Sequence, residues 1–384
     1  MVSPDETTPR YAEFFCGGGM VRAALGAGWT CVLANDIDPM KCRVYQDNFG
    51  AHGLVRGDIA TLDPAPLMRD VDLYWGSSPC QDFSLAGNGK GLAGQRSGVF
   101  RHWIDVIAQA VAADHAPRVI AFENVTGLLS RAGGADFVAV VTALSSLGYR
   151  VGGLEIDARH FVAQSRPRLF VICARDDIDV GGLTRATPDG PFHSAKLRRF
   201  AQAHRRQLSD RWVWWSLPAA PARAQRLEDV LDPRPDTPWF TQAEVRHLTA
   251  MMSPPSLSRL KTAQASGKMT IGTIYRRGRP DAQGTVRQRA ELRLDGIAGC
   301  LRTPAGGSSR QTLVLIEGRR IRARLLSSRE ALRLMGLPDD YRVTGRYNEA
   351  YKVAGDGVVV PVVAHLDRHL FAPILAAARL RSAA

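Results

Sequence analysis

The sequence has no CxxC pair, no secretory leader and no long apolar run, and each absence closes off a class of protein. Six cysteines (Cys16, Cys31, Cys42, Cys80, Cys173 and Cys300) are scattered over 384 residues. A chain of this length gains little from disulfides, so reduced thiols are expected, and the spacing speaks against a zinc site or any other metal. Each thiol taken alone reads first as a small buried hydrophobe. No apolar run approaches the ~20 residues of a membrane span, and Met1 to Arg10 is polar. A soluble, cytoplasmic protein without a membrane partner is the expectation.

What the sequence has in plenty is arginine, unevenly placed. Residues 182–325 hold 26 Lys and Arg against 11 Asp and Glu, while the rest of the chain holds 24 against 26. The whole excess charge therefore sits in one central segment, and nearly all of it is arginine. Clustered arginines are rewarded by phosphate contacts and counterion release, so a polyanion is the natural partner. A solvated basic face is the plainer reading, though lysine is the commoner choice for that.

From Tyr11 to about Asp177 short apolar runs alternate with helical patterns. Strands are expected at Tyr11–Phe15, Thr30–Ala34, Leu73–Trp75, Val119–Phe122 and Arg168–Ala174, with helices at Met20–Ala27, Phe100–Ala113 and Phe137–Leu147. That alternation predicts an α/β fold, a doubly wound and mostly parallel sheet covered on both faces. From about Gly181 to Pro304 prolines, arginines and aromatic bursts (Trp212, Trp214, Trp215; Trp239, Phe240) replace it, which suggests a smaller, irregular second domain. Ser327–Gly336 reads as a capped helix. Gly357–Ala364 leads into a last helix whose composition returns to the first domain. The expected division is 1–181 with 327–384, against 182–326.

Four segments carry chemistry. Cys16-Gly17-Gly18-Gly19 follows a strand and opens a helix, and Asp36 ends the next strand about 20 residues on, where an acid accepts ribose hydroxyls. The third glycine of GxGxxG is replaced by Arg22, which disfavours a nicotinamide oxidoreductase. Pro79-Cys80-Gln81 follows the strand Leu73–Trp75, at the carboxyl end where reacting groups collect, and a glycine-rich stretch suited to a lid comes next. A thiol there is open to activation as thiolate. Glu123-Asn124-Val125 puts a carboxylate at another strand end; among apolar neighbours it would hold or share a proton, and its plain alternative is a helix cap. Gln164-Ser165-Arg166-Pro167-Arg168 enters a strand with two arginines pointing the same way, a fork for a phosphate and a base oxygen. A surface salt bridge is the plain alternative for either.

Taken in order, these segments resemble the motif series of the C5-cytosine DNA methyltransferases of bacterial or phage type. Gly57-Asp58-Ile59, Arg302-Thr303-Pro304 and Tyr351-Lys352-Val353-Ala354-Gly355-Asp356-Gly357-Val358 extend the match to Ala364. The resemblance implies a Rossmann-like domain binding S-adenosyl-L-methionine and a target-recognition domain for double-stranded DNA. Phe14, Cys16, Gly17, Gly18, Gly19 and Asp36 would hold the methionine and ribose parts of the cofactor. Ile37 and Ile59 would flank its adenine, with Asp58 at the amino group and Pro79, Val99, Asp356 and Val358 completing the contacts. Cys80 would attack C6 of a flipped cytosine, Glu123 would hold its N3 and N4 edge, Arg168 would meet O2, and Arg166 a phosphate or the loop. Asp356 stands where the family has asparagine, so an amide donor is lost. A functional monomer, with a cognate restriction endonuclease as possible companion, is implied. Two rivals share the scaffold: a tRNA cytosine-5 methyltransferase, and a catalytically silent DNA-binding protein.

Overall fold

A computed structural model describes residues 8–67, 69–78, 98–208, 210–280, 284–303 and 310–382. The chain forms two compact units, one of Met1–Ile156, Pro167–Ala219 and Val362–Ala384, the other of Asp157–Arg166 and Ala220–Pro361.

The first unit is built on seven strands: β1 (Arg10–Phe14), β2 (Thr30–Asp36), β3 (Leu54–Arg56), β4 (Leu73–Gly76), β5 (Val119–Val125), β6 (Tyr149–Asp157) and β7 (Pro167–Arg175). They lie in the order β3-β2-β1-β4-β5-β7-β6. β1 pairs in parallel with β2 and β4, β2 with β3 and β4 with β5, whereas β7 runs antiparallel to β5. The order reverses direction between β1 and β4, so the loops leaving those two strands diverge and open a crevice at the carboxyl edge. Aromatic rings fill the core beneath it. Phe14, Phe100, Trp103 and Phe122 are buried and meet at centroid distances of 5.3–6.4 Å. Helices Met20–Leu25, Gly98–Ala112 and Ala135–Ser146 fall where the periodicity places them. Two strands go unmarked in that pattern. β3 is three residues long, and β6 carries Gly152-Gly153, where a side chain at Gly152 would meet the Val213 carbonyl at 2.5 Å.

The Trp212–Trp215 burst belongs to this unit, not to the basic segment where its composition places it. β8 (Thr184–Arg185) and β9 (Trp214–Trp215) form a small ladder. Trp215 is fully buried and its indole N–H donates to the Ile172 carbonyl at 2.9 Å. Burial, which arginine and proline content do not report, decides membership.

The second unit holds four antiparallel strands, β10 (Thr270–Pro280), β11 (Val286–Arg293), β12 (Thr312–Glu317) and β13 (Arg320–Leu325), in the order β11-β10-β12-β13. It is more regular than its sequence suggests. Val245, Leu248, Leu260, Ile274, Leu292, Val314 and Ile316 make its core with helices Gln242–Ala250 and Pro254–Ala265. Ser327 caps the helix Ser328–Arg333 through a capping box with Glu330, whose carboxylate also pairs, fully buried, with Arg324 at 2.6 Å. That helix and residues up to Pro361 belong here, so the chain returns to the first unit at Val362 and not at 327. Among the described residues one helical run, Tyr347–Leu380, is long and apolar enough to cross a membrane by length and composition; 56% of its most apolar window is buried within the protein.

Candidate active site

At the carboxyl edge of β1 and β2 the glycine loop is knitted to the strand end beside it. Asp36 accepts from the Gly17 amide at 2.8 Å with one carboxylate oxygen and from the Asp38 amide at 2.8 Å with the other. The Cys16 amide donates to the Asn35 carbonyl at 2.9 Å and the Gly19 amide to the Cys16 carbonyl at 2.8 Å. The amides of Cys16, Gly17 and Gly19 are therefore committed inside the protein, not offered to a ligand as the sequence suggests. Asp36 keeps spare acceptor capacity, because a carboxylate has roughly four lone-pair sites. Gly19 is required by packing as well as by its φ of +79°: a β-carbon there would meet the Phe49 ring at 2.6 Å. Gly17, at φ +55°, faces open space. Gly18 is buried.

The next strand end is stitched in turn. The Asn35 side-chain amide donates to the carbonyls of Val55 and Gly57, each at 3.0 Å, which seats Asp58 and Ile59 beside the end of β2. Ile37 is 66% exposed, an apolar side chain presented to solvent, while Ile59 is buried in the core. Asp58 is exposed and caps a short turn by accepting from the Ala60 amide at 3.0 Å. Val99, at the start of its helix, packs against the core and is half-buried.

Two of the expected cofactor residues are placed differently. Phe14 is fully buried, edge-on to Tyr74 at 5.6 Å and Trp103 at 6.4 Å, so its ring faces the core and not a ligand. Its neighbour Phe15 is half-buried and adopts φ 60°, a left-handed conformation costly for a bulky residue. Strand alternation holds the signal: Ala12 and Phe14 share the core face, which sends residue 15 to the loop. Cys16 is buried as well, and burial, reinforced by Glu13, pushes its thiol well above the ordinary range. It behaves as the small hydrophobe that its residue type suggests.

On the other side of the crevice, β5 delivers Glu123 and Asn124. The antiparallel register sets Arg168 opposite Val125, one diagonal step from Glu123 on the same sheet face. The Arg168 Nε lies 3.0 Å from Glu123 Oε1, with both side chains largely buried. Arg168 also donates to the Pro167 carbonyl at 2.9 Å. The neighbour of Glu123 is thus a cation where apolar side chains were expected. Asn124 donates to the Ser78 carbonyl at 3.1 Å, tying β5 to the last described residue before Pro79 and Cys80. Pro79 and Cys80 lie outside the described residues.

The remaining motif residues lie in the second unit. Arg166 is buried there, and its guanidinium donates to the carbonyls of Leu301 (2.9 Å), Gly355 (2.9 Å) and Gly357 (2.6 Å). The expected fork for a phosphate is not formed, because backbone carbonyls take up this arginine. Gln164, fully buried, bonds the Leu334 carbonyl at 2.8 Å and the Leu301 amide at 3.0 Å. Gly355 lets the helix Tyr347–Asp356 touch the backbone of Arg302 and Thr303, which a β-carbon would meet at 2.7 Å. Asp356 accepts from the Thr303 hydroxyl, and Val358 is buried.

Residues 10–372 match the family described as C-5 cytosine-specific DNA methylase. The chain is 25% identical over 360 residues to the type II methyltransferase M.HhaI of Haemophilus parahaemolyticus, covering 93% of this chain and 92% of that protein. It is 25% identical over 354 residues to the type II methyltransferase M.NgoBI of Neisseria gonorrhoeae, covering 91% and 89%. The crystal structure of the S. pombe Dnmt2 methyltransferase shares the fold, with a TM-score of 0.59 and 17% identity over 95% of this chain and 99% of that one. Strand ends that gather Asp36, Glu123 and Arg168, together with a family match over nearly the whole length, place this chain in the C-5 cytosine-specific DNA methylase family.

Proposed function

We propose that the protein methylates C5 of a cytosine flipped out of a specific duplex DNA sequence, with S-adenosylmethionine as donor and Cys80 as covalent nucleophile. The observation that carries this reading is the buried Glu123–Arg168 pair at the carboxyl end of β5, whose neighbour Asn124 anchors the chain at Ser78. The residues beside β1 to β3 suit a nucleoside cofactor: open space before Gly17, spare acceptors on Asp36, an exposed Ile37 and an exposed Asp58. Phe15 replaces Phe14 as the aromatic contact in this proposal. When bound, the cofactor supplies an electrophilic methyl group.

C5 of cytosine is a weak nucleophile, and the side chains supply what it lacks. The Cys80 thiolate adds to C6, forming a carbon–sulfur bond and moving an electron pair towards N3 and C5. Glu123 holds N3 and its proton there, and Arg168 holds O2, so the enamine gathers its electron density at C5. After C5 takes the methyl group, loss of its proton restores the double bond and expels the thiolate. One hard step becomes several easier ones. Flipping the base costs a few kcal/mol of unstacking, which contacts from the arginine-rich unit offset.

The decisive experiment compares methyl incorporation into duplex DNA and total tRNA. Incorporation into DNA supports the reading; incorporation into tRNA alone replaces it with the RNA branch of the family, and none in either replaces it with a silent scaffold. Mapping 5-methylcytosine in cells that express the protein gives the target, and a nuclease cutting the same sequence would identify a restriction partner. Cys80→Ala is expected to abolish methylation while DNA binding survives. A Cys80→Ala enzyme that still methylates refutes the covalent step. Action on DNA by a monomer in the cytoplasm, at the nucleoid, completes the proposal.

A further inference from the structure

The first unit carries a helix, Ala195–Ala203, that the site described above does not use. From Lys196 to Arg211 the sequence has six basic residues and one acid, Asp210. Ser194 caps the helix by accepting from the Leu197 amide at 3.1 Å, and the turn that follows closes with the Leu208 amide donating to the His204 carbonyl at 3.1 Å. Leu197, Phe200, Ala201 and Leu208 are buried, and Arg198, Arg199, Arg205 and Arg206 are exposed. Arg198 reaches the Pro188 carbonyl at 3.5 Å, whereas Arg199, Arg205 and Arg206 meet no carboxylate among the described residues. The buried face is fixed to the segment that leaves the site. Lys196 Nζ donates to the Thr126 carbonyl at 2.5 Å, just past Glu123 and the end of β5, and His204 Nε2 donates to the Gly133 carbonyl at 3.0 Å. Phe200 packs on Phe137 at 4.7 Å. Gly134, at φ +97°, is demanded by this packing, because a β-carbon there would meet the His204 ring at 2.6 Å. The segment from Thr126 to Phe137 starts from the carboxyl end of β5, so the helix stands at the same edge of the sheet as Glu123 and Arg168.

We propose that this arginine face is a phosphate clamp: the first unit uses Arg199, Arg205 and Arg206 to hold the backbone of duplex DNA on the flank of the base that enters the crevice. Arg199 and Arg206 are two helical turns apart, about 10 Å at roughly 1.5 Å per residue. A DNA strand offers a phosphate about every 3.4 Å of helix axis, so each arginine can meet a different one. The guanidinium fork suits phosphate oxygens. A face kept for solubility mixes both signs, and residues 195–209 contain no acid to offset the arginines. Contacts of this kind fix where the duplex lies and carry no sequence information. The partner rests on the methyltransferase reading, but the test reads binding, so the two fail separately.

Binding of the full-length protein to a duplex of fixed sequence is measured across a salt series. Arg199→Gln, Arg205→Gln and Arg206→Gln together are expected to make the slope of log K against log salt shallower by roughly 2.7, at about 0.9 per phosphate. Arg199→Lys, Arg205→Lys and Arg206→Lys, which keep the charge, are expected to restore it. In methyl transfer the glutamine variant should raise KM for DNA with kcat held, and a selection from randomised duplexes should return the wild-type sequence preference. Three outcomes overturn the proposal. One is an unchanged slope. Another is an equal change from Arg43→Gln, Arg69→Gln and Arg368→Gln, exposed arginines elsewhere on the first unit. The third is a glutamine variant that loses binding to double-stranded RNA but not to DNA, which would assign the face to RNA. An unchanged slope in a variant that still methylates DNA refutes only the clamp. A wild-type protein that shows the expected slopes but transfers no methyl group refutes only the enzymatic reading.

Discussion

Arg166 and Arg168 stand two positions apart, yet their guanidiniums meet different chemistry. Arg166 satisfies carbonyls in the second unit, and Arg168 pairs with Glu123. Arg166→Met should leave buried carbonyls without donors and cost about 3 kcal/mol or more, since each unsatisfied group costs roughly 1–3 kcal/mol. Arg168→Ala should remove methylation and, because it leaves the largely buried Glu123 carboxylate without its partner, also lower the urea midpoint. Equal midpoints for Arg166→Met and wild type would contradict the structural assignment. His193 offers a pH test. Burial, helped by the charge of Arg185, pushes its imidazole down to about 4. The unfolded chain takes up that proton near 6.5, so between about 6.5 and 4 it binds more protons than the folded state. Stability should fall on acidification through that window, by about 2 kcal/mol after allowance for solvent screening. His193→Gln should flatten this part of the profile; an equally steep fall would assign it to other groups.

At the scale of elements, the Ser327 cap and the Arg324–Glu330 pair form one unit. Glu330 accepts from the Ser327 amide at 2.8 Å and from both Arg324 terminal nitrogens, at 2.6 and 2.7 Å. Glu330→Gln would leave a buried cation uncompensated, for which the expected loss is about 3–5 kcal/mol. A calorimetric or urea measurement showing less than about 1 kcal/mol would mean that water reaches Arg324 in solution. The same helix shows how much of an element is legible in sequence. Ser327, Glu330 and the Gly336-Leu337-Pro338 stop are local signals, and the helix forms there. β6 is illegible for the opposite reason: its Gly152 is demanded by Val213 and Trp215, some 60 residues away in the chain. The direction of β7 was equally hidden. In a parallel strand, Arg168 at its beginning would lie at the wrong edge of the sheet; antiparallel pairing with β5 carries it to Glu123.

For the whole molecule, the uneven charge makes the clearest prediction. With 26 basic against 11 acidic residues between 182 and 325, DNA affinity should fall linearly in log salt. Six to ten phosphate contacts would cost on the order of 10³-fold or more between roughly 50 and 200 mM salt, and a flat dependence would contradict a phosphate-binding role. That charge boundary is not the boundary between the compact units. Residues 182–219 join the first unit and 327–361 the second, because apolar burial and not surface charge decides where the chain folds.

The residue types available for chemistry, their order, and the strand ends on which Asp36 and Glu123 sit are legible in the chain. Those are local properties, readable from apolar periodicity, glycine placement and motif spacing. Folding in three dimensions settles that Phe15 and not Phe14 leaves the core, and that Arg168 and not Arg166 meets Glu123. The partners of Arg166 lie 135 to 191 residues away along the chain. Such pairings are set by which backbone carbonyls folding leaves unsatisfied, and no local pattern records them.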